Sequence, residues 1–246
     1  MSPKISFVIP AYNEEHYISE CLRSVLVELQ SVDVKVEVIV VNNASRDRTG
    51  EIARSFHGVR VVDEPGKGLA RARQAGFTAS LGELIANIDA DTILRPGWIE
   101  MALKEFEHDR RLVALSGPYI YHDLSLWHNI FVRFFYWLGY ILYLLNRFVF
   151  RVGSMIQGGN FIVCREALTK IGGFDPRFYF YGEDTDLARR LHKVGKVKFN
   201  MRFSIYSSGR RLAHEGVLTM GARYALNYLW TMFLRRPFTQ SYKDIR

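Results

Sequence analysis

Two carboxylates, Asp89 and Asp91, stand two positions apart directly after the apolar run Leu84–Ile88. On an extended backbone, side chains two positions apart point the same way, so both carboxylates can face one spot beyond the end of a strand. Ligands of open α/β sheets bind in that region, and paired oxygen donors suit Mg²⁺ or Mn²⁺ bridging a diphosphate. A solvated turn is the alternative interpretation, because a bare D-x-D pattern is common.

A second acidic group, Glu183, Asp184 and Asp186, lies at the start of an amphipathic helix expected over 184–194. The helix dipole and free amides favour acidic residues in a first turn whatever their function. The aromatic residues just before the group, 178–181, support a second interpretation, a set of carboxylates in an aromatic wall. Such surroundings raise the pKa of a carboxyl group and suit a general base.

The segment 64–68 combines two glycines with Lys67 at a strand-turn-helix junction. Amides at a helix start bind anions, and the lysine adds positive charge, so the segment predicts an anion site. A dinucleotide-binding loop is a minor alternative, since Asp89 follows about twenty residues later. That pattern needs a third glycine where this sequence has Arg71, and the segment follows the third strand, not the first.

Polar residues also follow other expected strands. Asn42 and Asn43 come after the second strand, where carboxamides can read a base edge, although asparagines in turns need no such role. Arg210 and Arg211 follow the last strands and can clamp a departing pyrophosphate. His214 can complete a metal shell, and a structural histidine is the alternative.

Alternating strands and helices must position these residues. Apolar runs predict strands at 5–9, 36–41, 59–62 and 84–88, and three- and four-residue steps predict helices at 14–29, 49–56, 67–81 and from 96 onwards. Continuous apolar strands between amphipathic helices indicate a mostly parallel sheet that is covered on both faces. The expected fold class is therefore α/β, a three-layer sandwich.

Aromatic and aliphatic residues crowd the segment 126–150 at helical spacing, interrupted by Arg133 and Arg147. The uncharged interval between these arginines is shorter than the ~18 to 20 residues that a membrane span needs. Two interpretations stay open: a core helix or hairpin, and an interfacial helix with rings and arginines at headgroup depth. A second apolar segment, 224–234, is also followed by arginines. Two apolar segments with basic flanks favour contact with an anionic membrane surface.

The chain has 246 residues, 33 of them basic and 25 acidic, which gives a formal net charge of +8. An anionic partner is therefore expected, but not nucleic acid, because the basic residues are dispersed and no nucleic-acid-binding motif occurs. The two cysteines, Cys21 and Cys164, are far apart and form neither a metal pattern nor a disulfide framework. The short apolar start at 4–10 indicates a strand and no signal peptide, so a cytoplasmic location is expected.

Taken together and in order, several motifs resemble those of family 2 glycosyltransferases of the GT-A fold. The motifs are Ile9-Pro-Ala-Tyr-Asn-Glu-Glu15, Val40-Val-Asn-Asn-Ala-Ser45, Gly66-Lys-Gly-Leu-Ala-Arg-Ala-Arg-Gln-Ala-Gly76, Asp89-Ala-Asp91, Gly158-Gly-Asn-Phe161, Gly172-Gly-Phe-Asp175 and Gly182-Glu-Asp-Thr-Asp-Leu187. The set spans most of the chain. The resemblance implies metal-dependent transfer of a sugar, with inversion at the anomeric carbon, from a nucleotide diphosphate donor with Mg²⁺ or Mn²⁺ as the cofactor.

Carried over position by position, the resemblance implies donor-binding roles. The nucleotide pocket would be lined by Pro10, Ala11, Tyr12 and Glu14. Tyr12 would lie against the base, and Asn42 stands where the family usually has an aspartate that accepts a base N–H. Lys67 would lie near the base or the phosphates, Asp89 would approach the ribose, and Asp91 would approach the metal.

The resemblance also implies a catalytic half. Asp184 matches the catalytic base of the family. The acceptor side would be shaped by Gly159, Asn160, Tyr181 and Glu183. The Q-x-x-R-W element of the family is missing, and Arg210 and Arg211 occupy a comparable place, so they are expected to stabilise the leaving group. The absence of the Q-x-x-R-W element argues against a processive polysaccharide synthase.

The expected acceptor is a hydroxyl of a lipid-linked or membrane-proximal glycan, at the inner face of the cell membrane. A polyprenyl-phosphate sugar synthase is an alternative, although its acceptor ionises readily and would not need the acidic group at 183–186. A non-catalytic nucleotide-binding protein and a nicotinamide enzyme are further alternatives. The expected organisation is a nucleotide-sugar half at 1–110, an acceptor half at 111–214 with an aromatic helical insertion at 124–151, and an amphipathic helix at 215–246.

Overall fold

Ten strands and nine helices make up the part of the chain that the structure, a computed structural model, describes, namely residues 2–145, 155–178, 181–234 and 238–239. The strands are β1 (Ile5–Ala11), β2 (Val36–Asn43), β3 (Val59–Glu64), β4 (Leu84–Ile88), β5 (Thr92–Ile93), β6 (Leu112–Ser116), β7 (Tyr119–Tyr121), β8 (Asn160–Cys164), β9 (Lys196–Phe199) and β10 (Ile205–Ser207). The helices are α1 (Ile18–Leu29), α2 (Thr49–Arg54), α3 (Leu69–Ala79), α4 (Trp98–His108), α5 (Leu126–Leu145), α6 (Arg165–Lys170), α7 (Glu183–Leu191), α8 (Arg210–Glu215) and α9 (Val217–Leu234).

Seven of these strands form one sheet in the order β3-β2-β1-β4-β8-β6-β9. Strands β3, β2, β1 and β4 are parallel to one another, with Ile9 opposite Val40 and Val8 opposite Asn87. Strand β8 is antiparallel to both of its neighbours, and β9 pairs in parallel with β6. The mostly parallel sheet expected from the continuous apolar runs is confirmed.

Helices cover both faces of this sheet. Successive side chains of β1 point to opposite faces, so Phe7 and Ile9 pack towards α1 and α4, whereas Val8 packs towards α3 and α7. All residues of β1 are buried, as expected for a central strand in a parallel sheet. The two apolar clusters complete the three-layer α/β sandwich that the sequence predicts.

A smaller sheet, in the order β5-β10-β7, and the helices α5, α8 and α9 lie beyond the main sheet. Val132, Leu212 and Met220 join these three helices in a cluster of their own. Residues 146–154, which include the end of the aromatic segment expected at 126–150, lie outside the described residues, as do residues 235–237. Across the described ranges, no helix combines the length and the apolar character that a membrane crossing requires.

Some element boundaries differ from those expected. The helix expected over 14–29 begins at Ile18, and the residues before it form a turn in which the Glu14 carbonyl accepts from the amides of Tyr17 and Ile18. The strand-like run at 155–164 is a strand only from Asn160, because the backbone before it turns through Gln157. The second apolar helix begins at Val217, well before 224. Strands β5, β6 and β7 and helix α6 are too short or too irregular in pattern to be expected.

Candidate active site

The carboxyl ends of β1, β2 and β4 meet at one edge of the main sheet. Ala11 is the last residue of β1, Asn42 and Asn43 end β2, and Asp89 follows β4 directly. Because these strands are parallel neighbours, the residues that follow them share one side of the sheet. Pro10 and Ala11 are buried within β1, so they form the floor of this edge.

Two loops at this edge hold each other in place. The amide of Asn13 donates to Ser45 Oγ at 3.1 Å, and the amide of Glu14 donates to Thr49 Oγ1 at 2.7 Å. Asn13 and Ala44 adopt left-handed backbone conformations, with φ of 51° and 58°. Residues other than glycine keep this conformation where their surroundings hold them in it. The loop after β1 is therefore fixed by the loop after β2.

The carboxamide of Asn42 is oriented by Asp63, a residue that the sequence does not indicate. Asn42 Nδ2 donates to Asp63 Oδ1 at 2.8 Å, and Arg54 donates to Asp63 Oδ2 at 2.5 Å. Hydrogen bonds from both neighbours lower the pKa of Asp63, so it stays ionised. Asn42 Oδ1 is buried and has no hydrogen-bond partner in the described part of the chain. The described residues therefore leave the acceptor oxygen of this carboxamide unsatisfied at the end of β2.

Lys67 lies over the ring of Tyr12, with Nζ 3.9 Å from the ring centroid. Asn43 holds the loop that carries this lysine. Its Nδ2 donates to the carbonyl of Gly66 at 2.7 Å, and its Oδ1 accepts from the amide of Gly68 at 2.8 Å. A cation above an aromatic face is an attractive arrangement. Tyr12 and Lys67, which follow different strands and are both expected to bind the nucleotide, are thus in contact.

Arg210 connects the loop after β1 with Asp91. Its Nη2 donates to Glu14 Oε1 at 2.5 Å and lies 3.2 Å from Asp91 Oδ2. Its guanidinium lies 4.5 Å from the ring centroid of Tyr17. The start of α8 reaches this edge because β10 pairs with β5, which directly follows Asp91. The carboxylates hold the pKa of Arg210 above its usual value although burial opposes this, so the guanidinium stays charged.

The two residues expected to hold a metal are placed differently. Asp91 faces the edge of the sheet beside Arg210, whereas the side chain of His214 is exposed at the end of α8. Arg211 Nη1 lies 3.6 Å from Glu215 Oε1 on the same helix. In the described ranges, no three His, Cys, Asp or Glu side chains are arranged to hold a metal ion. Mg²⁺ is commonly held by one or two carboxylates together with substrate phosphates, and Asp91 fits that mode.

Arg73 is a residue of this site that sequence reasoning missed. Its side chain is 1% exposed, and its Nη2 lies 3.3 Å from Asp89 Oδ1. It also forms an ion pair with Glu183 and donates to the carbonyl of Gly158 at 2.5 Å. One buried guanidinium therefore joins the aspartate after β4 to the acidic group that opens α7. The available signal was an arginine on the buried face of a helix, among alanines and glycine.

The three acids at the start of α7 have different surroundings. Burial raises the pKa of Glu183 to about 7, although its paired arginine acts in the opposite direction. Burial also raises the pKa of Asp184, whose Oδ1 accepts the amide of Thr185 at 2.7 Å. Asp186 accepts hydrogen bonds from two arginines of the same helix, both at 2.6 Å. Asp184 is the partly exposed member of the group and forms no ion pair with the described residues.

Gly159 passes so close to Asp89 that no side chain fits at its position. A Cβ atom there would lie 2.1 Å from Asp89 Oδ2 and 2.1 Å from the hydroxyl oxygen of Tyr119. The Tyr119 hydroxyl donates to Asp89 Oδ2 at 3.0 Å. Asp89 is thus held from one side by Arg73 and from the other by Tyr119, which the sequence also does not indicate.

The side chain of Asn160 belongs to the core. Its Nδ2 donates to the carbonyls of Phe203 at 2.7 Å and Gly117 at 3.0 Å, and its Oδ1 accepts the indole N–H of Trp98 at 3.0 Å. The residue is 0% exposed. Its side chain therefore does not face a sugar acceptor, contrary to the expectation from the sequence. Its side chain ties β8 to α4 and to the turn after β6, because all its polar groups are bonded within the protein.

Tyr181 packs between the acidic group and α9. Its hydroxyl oxygen accepts from Arg223 Nη1 at 3.3 Å, and its ring meets the ring of Tyr224 edge-on with centroids 6.1 Å apart. Helix α9 therefore forms one wall beside the start of α7. The preceding aromatic residues, 179–180, lie outside the described residues.

The sheet order and the edge at which these residues gather define the class: an α/β protein with the GT-A fold. A mannosyltransferase from Pyrobaculum calidifontis, solved with GDP-Man and Mn²⁺, matches 96% of this chain and 64% of its own with a TM-score of 0.67 and 19% identity. Glucosyl-3-phosphoglycerate synthase from Mycobacterium tuberculosis, solved with Mn²⁺, UDP-Glc and phosphoglyceric acid, matches 96% of this chain and 81% of its own, with a TM-score of 0.63 and 23% identity. At these sequence identities, the two comparisons show that the proteins share a fold.

The chain belongs to glycosyltransferase family 2, because the family model described as Glycosyl transferase family 2 matches residues 6–172. A second model, described as the N-terminal domain of galactosyltransferase, matches residues 149–214. The resemblance seen in the motifs is thereby confirmed.

Two relatives illustrate the extent of the similarity. The probable glycosyltransferase YdaM of Bacillus subtilis is 30% identical over 214 residues, which are 82% of this chain and 49% of that protein. The chondroitin synthase of Pasteurella multocida is 35% identical over 117 residues, 46% of this chain and 12% of that protein. The chain thus spans about half the length of the first relative and a small part of the second.

Proposed function

We propose that this chain is an inverting glycosyltransferase that moves a sugar from a nucleotide diphosphate sugar to an acceptor hydroxyl. The observation that carries the proposal is the buried bridge from Asp89 through Arg73 to Glu183. It joins residues expected around the donor to the acidic group expected around the acceptor, within one site. Membership of family 2 supports the same reaction class.

The donor would lie along the carboxyl ends of β1, β2 and β4. Tyr12 and Lys67, already in contact, would enclose the base, and Asn42 Oδ1 would accept a base N–H. Asp89 would bind the ribose hydroxyls, in an orientation set by its two hydrogen-bonding neighbours. The GDP-Man and UDP-Glc in structures of similar fold support this donor class.

A divalent cation, Mg²⁺ or Mn²⁺, would be held at Asp91, the one of the two expected ligands that faces the edge of the sheet. When bound, such an ion neutralises charge on a diphosphate. Arg210 and Arg211 would bind the same diphosphate through charge-assisted hydrogen bonds and stabilise it as it leaves. The Mn²⁺ in two structures of similar fold supports a metal.

Asp184 would act as the general base. The carboxylate takes the proton of the acceptor hydroxyl while that oxygen bonds to the anomeric carbon. The bond from that carbon to the diphosphate oxygen breaks, and its electron pair leaves with the nucleotide. Attack from the face opposite the leaving group inverts the anomeric centre and needs no covalent intermediate. The raised pKa of Asp184 supports this role, because a base is most effective when its pKa is nearer the working pH.

The acceptor would be a lipid-linked or membrane-proximal glycan, bordered by Gly159, Tyr181 and Glu183, with the protein peripheral on the inner face of the cell membrane. Helices α5 and α9 support this, since neither contains an acidic residue and both expose large apolar side chains, among them Trp127 and Leu218. Amphipathic helices of this kind lie in the interface of a membrane.

A polyprenyl-phosphate sugar synthase is the second candidate, favoured by the same exposed helices. Its acceptor phosphate is already ionised, so Asp184 would have no proton to remove. A non-catalytic nucleotide-binding protein is the third, and it would bind donor without turnover. Assays with a hydroxyl acceptor and with a prenyl phosphate separate the first two, and the release of nucleotide separates both from the third.

A thermal-shift panel of UDP-, GDP- and dTDP-sugars, with Mn²⁺ and with chelator, tests the donor site. We expect one nucleotide to raise the melting temperature, and only when the metal is present. NMR of the product then reads the configuration of the new bond, which we expect to be opposite to that of the donor. A retained configuration would contradict inversion, and no stabilisation by any nucleotide would contradict the donor site.

A further inference from the structure

A groove of about 660 Å³ lies between α5 and the turns that precede α4 and β10. None of the residues proposed above for donor, metal or base lines it. Tyr119 forms part of its wall, and the hydroxyl of this tyrosine donates to Asp89. The groove is therefore separate from the proposed active site but shares one side chain with its boundary.

The groove is positively charged. Arg95, Arg133 and Arg202 line it, and none of the described acidic residues does. Arg95 donates to Ser204, whereas Arg133 and Arg202 are exposed and form no ion pair within the described ranges. Guanidinium groups bind phosphate oxygens through paired, charge-assisted hydrogen bonds. Cations gathered without acids therefore indicate a phosphate ligand.

One rim of the groove continues into an exposed apolar face of α5. Trp137 belongs to both, since it lines the groove and is 58% exposed. Arg133 precedes it by four positions, which makes the two side chains neighbours on the helix surface. The other large side chains exposed on this helix are Leu126, Trp127, Ile130, Phe131, Phe134 and Leu138. An apolar face of this extent marks a binding surface.

We propose that this groove binds the phosphate headgroup of an anionic phospholipid, with α5 lying in the surface of the bilayer beside it. The side chains of the groove and of α5 match the parts of a phospholipid. Arginines bind the phosphate, a tryptophan suits the headgroup boundary, and the apolar face contacts acyl chains. This site rests on the membrane contact proposed above, but not on the transfer reaction. A lipid held here would place Tyr119, which the groove shares with the boundary of the active site, beside the bilayer.

Flotation with vesicles of phosphatidylcholine alone, and of two parts phosphatidylcholine to one part phosphatidylglycerol, measures this binding. The test variant carries Arg133→Gln and Arg202→Gln. The control carries Arg23→Gln and Arg110→Gln, which remove the same charge from exposed positions outside the groove. We expect the test variant to bind mixed vesicles about thirtyfold more weakly, because each arginine near an anionic surface contributes roughly a factor of five. The control should bind like the unaltered chain.

Several results would overturn the headgroup site. Equal losses in the test and control variants would mean that diffuse charge attracts the chain to vesicles. Unchanged binding of the test variant would contradict lipid binding in the groove but not the membrane contact. No flotation with any vesicle would contradict both proposals. Displacement from mixed vesicles by inorganic phosphate at constant ionic strength would identify a site for free phosphate. Donor binding by calorimetry should be unchanged in the test variant, so a failure of the proposed transferase is a separate result.

Discussion

Arg73 Nη2, on the buried side of α3, lies 3.3 Å from Oδ1 of Asp89, which follows β4. The same guanidinium pairs with Glu183, which is 110 positions further along the chain. A buried ion pair adds little net stability when intact, but removal of one partner leaves an uncompensated charge. Arg73 therefore couples the geometry of the proposed donor side to that of the acidic group.

Replacing Arg73 with methionine is expected to lower the free energy of unfolding by about 3 to 5 kcal/mol, because Glu183 would stay buried without its cation. Urea unfolding measures this change. Adding Glu183→Gln should restore part of the loss. The control Arg71→Met, at an exposed position of the same helix, should change stability by less than about 0.5 kcal/mol. Strictly additive effects of the two substitutions would contradict the coupling.

Stability is expected to fall as the pH rises from about 5 to about 7. Burial raises the pKa of Glu183 from 4.5 to about 7 in the folded state. Within this window the folded chain binds more protons than the unfolded chain, so a rise in pH favours unfolding. Glu183→Gln removes the titrating group, and its urea midpoint should depend less on pH. Identical pH slopes for the two proteins would argue against the raised pKa.

Gly159→Ala is expected to reduce sugar transfer by about a hundredfold, because its Cβ would displace Asp89 and a shift of about 1 Å at a reacting site costs that much. Rates with a saturating donor measure the effect, and circular dichroism reports whether the variant is folded. Gly139→Ala is the control, since its Cβ would meet only Met155 Sδ, at 3.9 Å. Full activity of a folded Gly159→Ala variant would show that this close approach is dispensable.

Asp63→Ala is expected to weaken nucleotide binding about fivefold, since it releases the Asn42 amide and the loss of one hydrogen bond is worth about 1 kcal/mol. Calorimetry with the nucleotide identified by the thermal-shift panel measures the dissociation constant. Asp63→Asn keeps an acceptor oxygen for Asn42 and should bind more tightly than the alanine variant. Equal affinities for all three proteins would mean that Asp63 does not orient the carboxamide.

Local patterns account for the elements that the sequence predicts well. Strand β4 has the expected bounds, Leu84–Ile88, because a run that is apolar except for Asn87 is followed by Asp89 at the point where the strand ends. The expectation that Asp89 lies beyond the carboxyl end of that strand follows from the same run. Parallel pairing of β1, β2 and β4 then brings residues with no sequence proximity to one edge.

Local sequence patterns do not identify residues whose partners are distant in the chain. Arg73 meets Glu183, Asp63 meets Asn42 and Tyr119 meets Asp89 across separations of 110, 21 and 30 positions. No periodicity or spacing identifies such pairs, since they depend on how the sheet orders its strands.

Asn160 illustrates the opposite error. The family resemblance implies that its motif, Gly158-Gly-Asn-Phe161, shapes the acceptor side. Its burial depends on Trp98 and on the Phe203 carbonyl, which only the folded chain brings to it. A motif position alone does not separate a side chain that serves the fold from one that faces a ligand.

The most direct test of the central claim compares transfer and donor binding in Asp184→Asn, with the exposed Asp33→Asn as control. A single general base predicts that Asp184→Asn lowers the transfer rate by at least about a hundredfold. Donor affinity measured by calorimetry should stay within about twofold, a change of less than 0.5 kcal/mol, and Asp33→Asn should leave both quantities unchanged. Transfer at the unaltered rate, or a donor affinity that falls in step with the rate, would contradict the account.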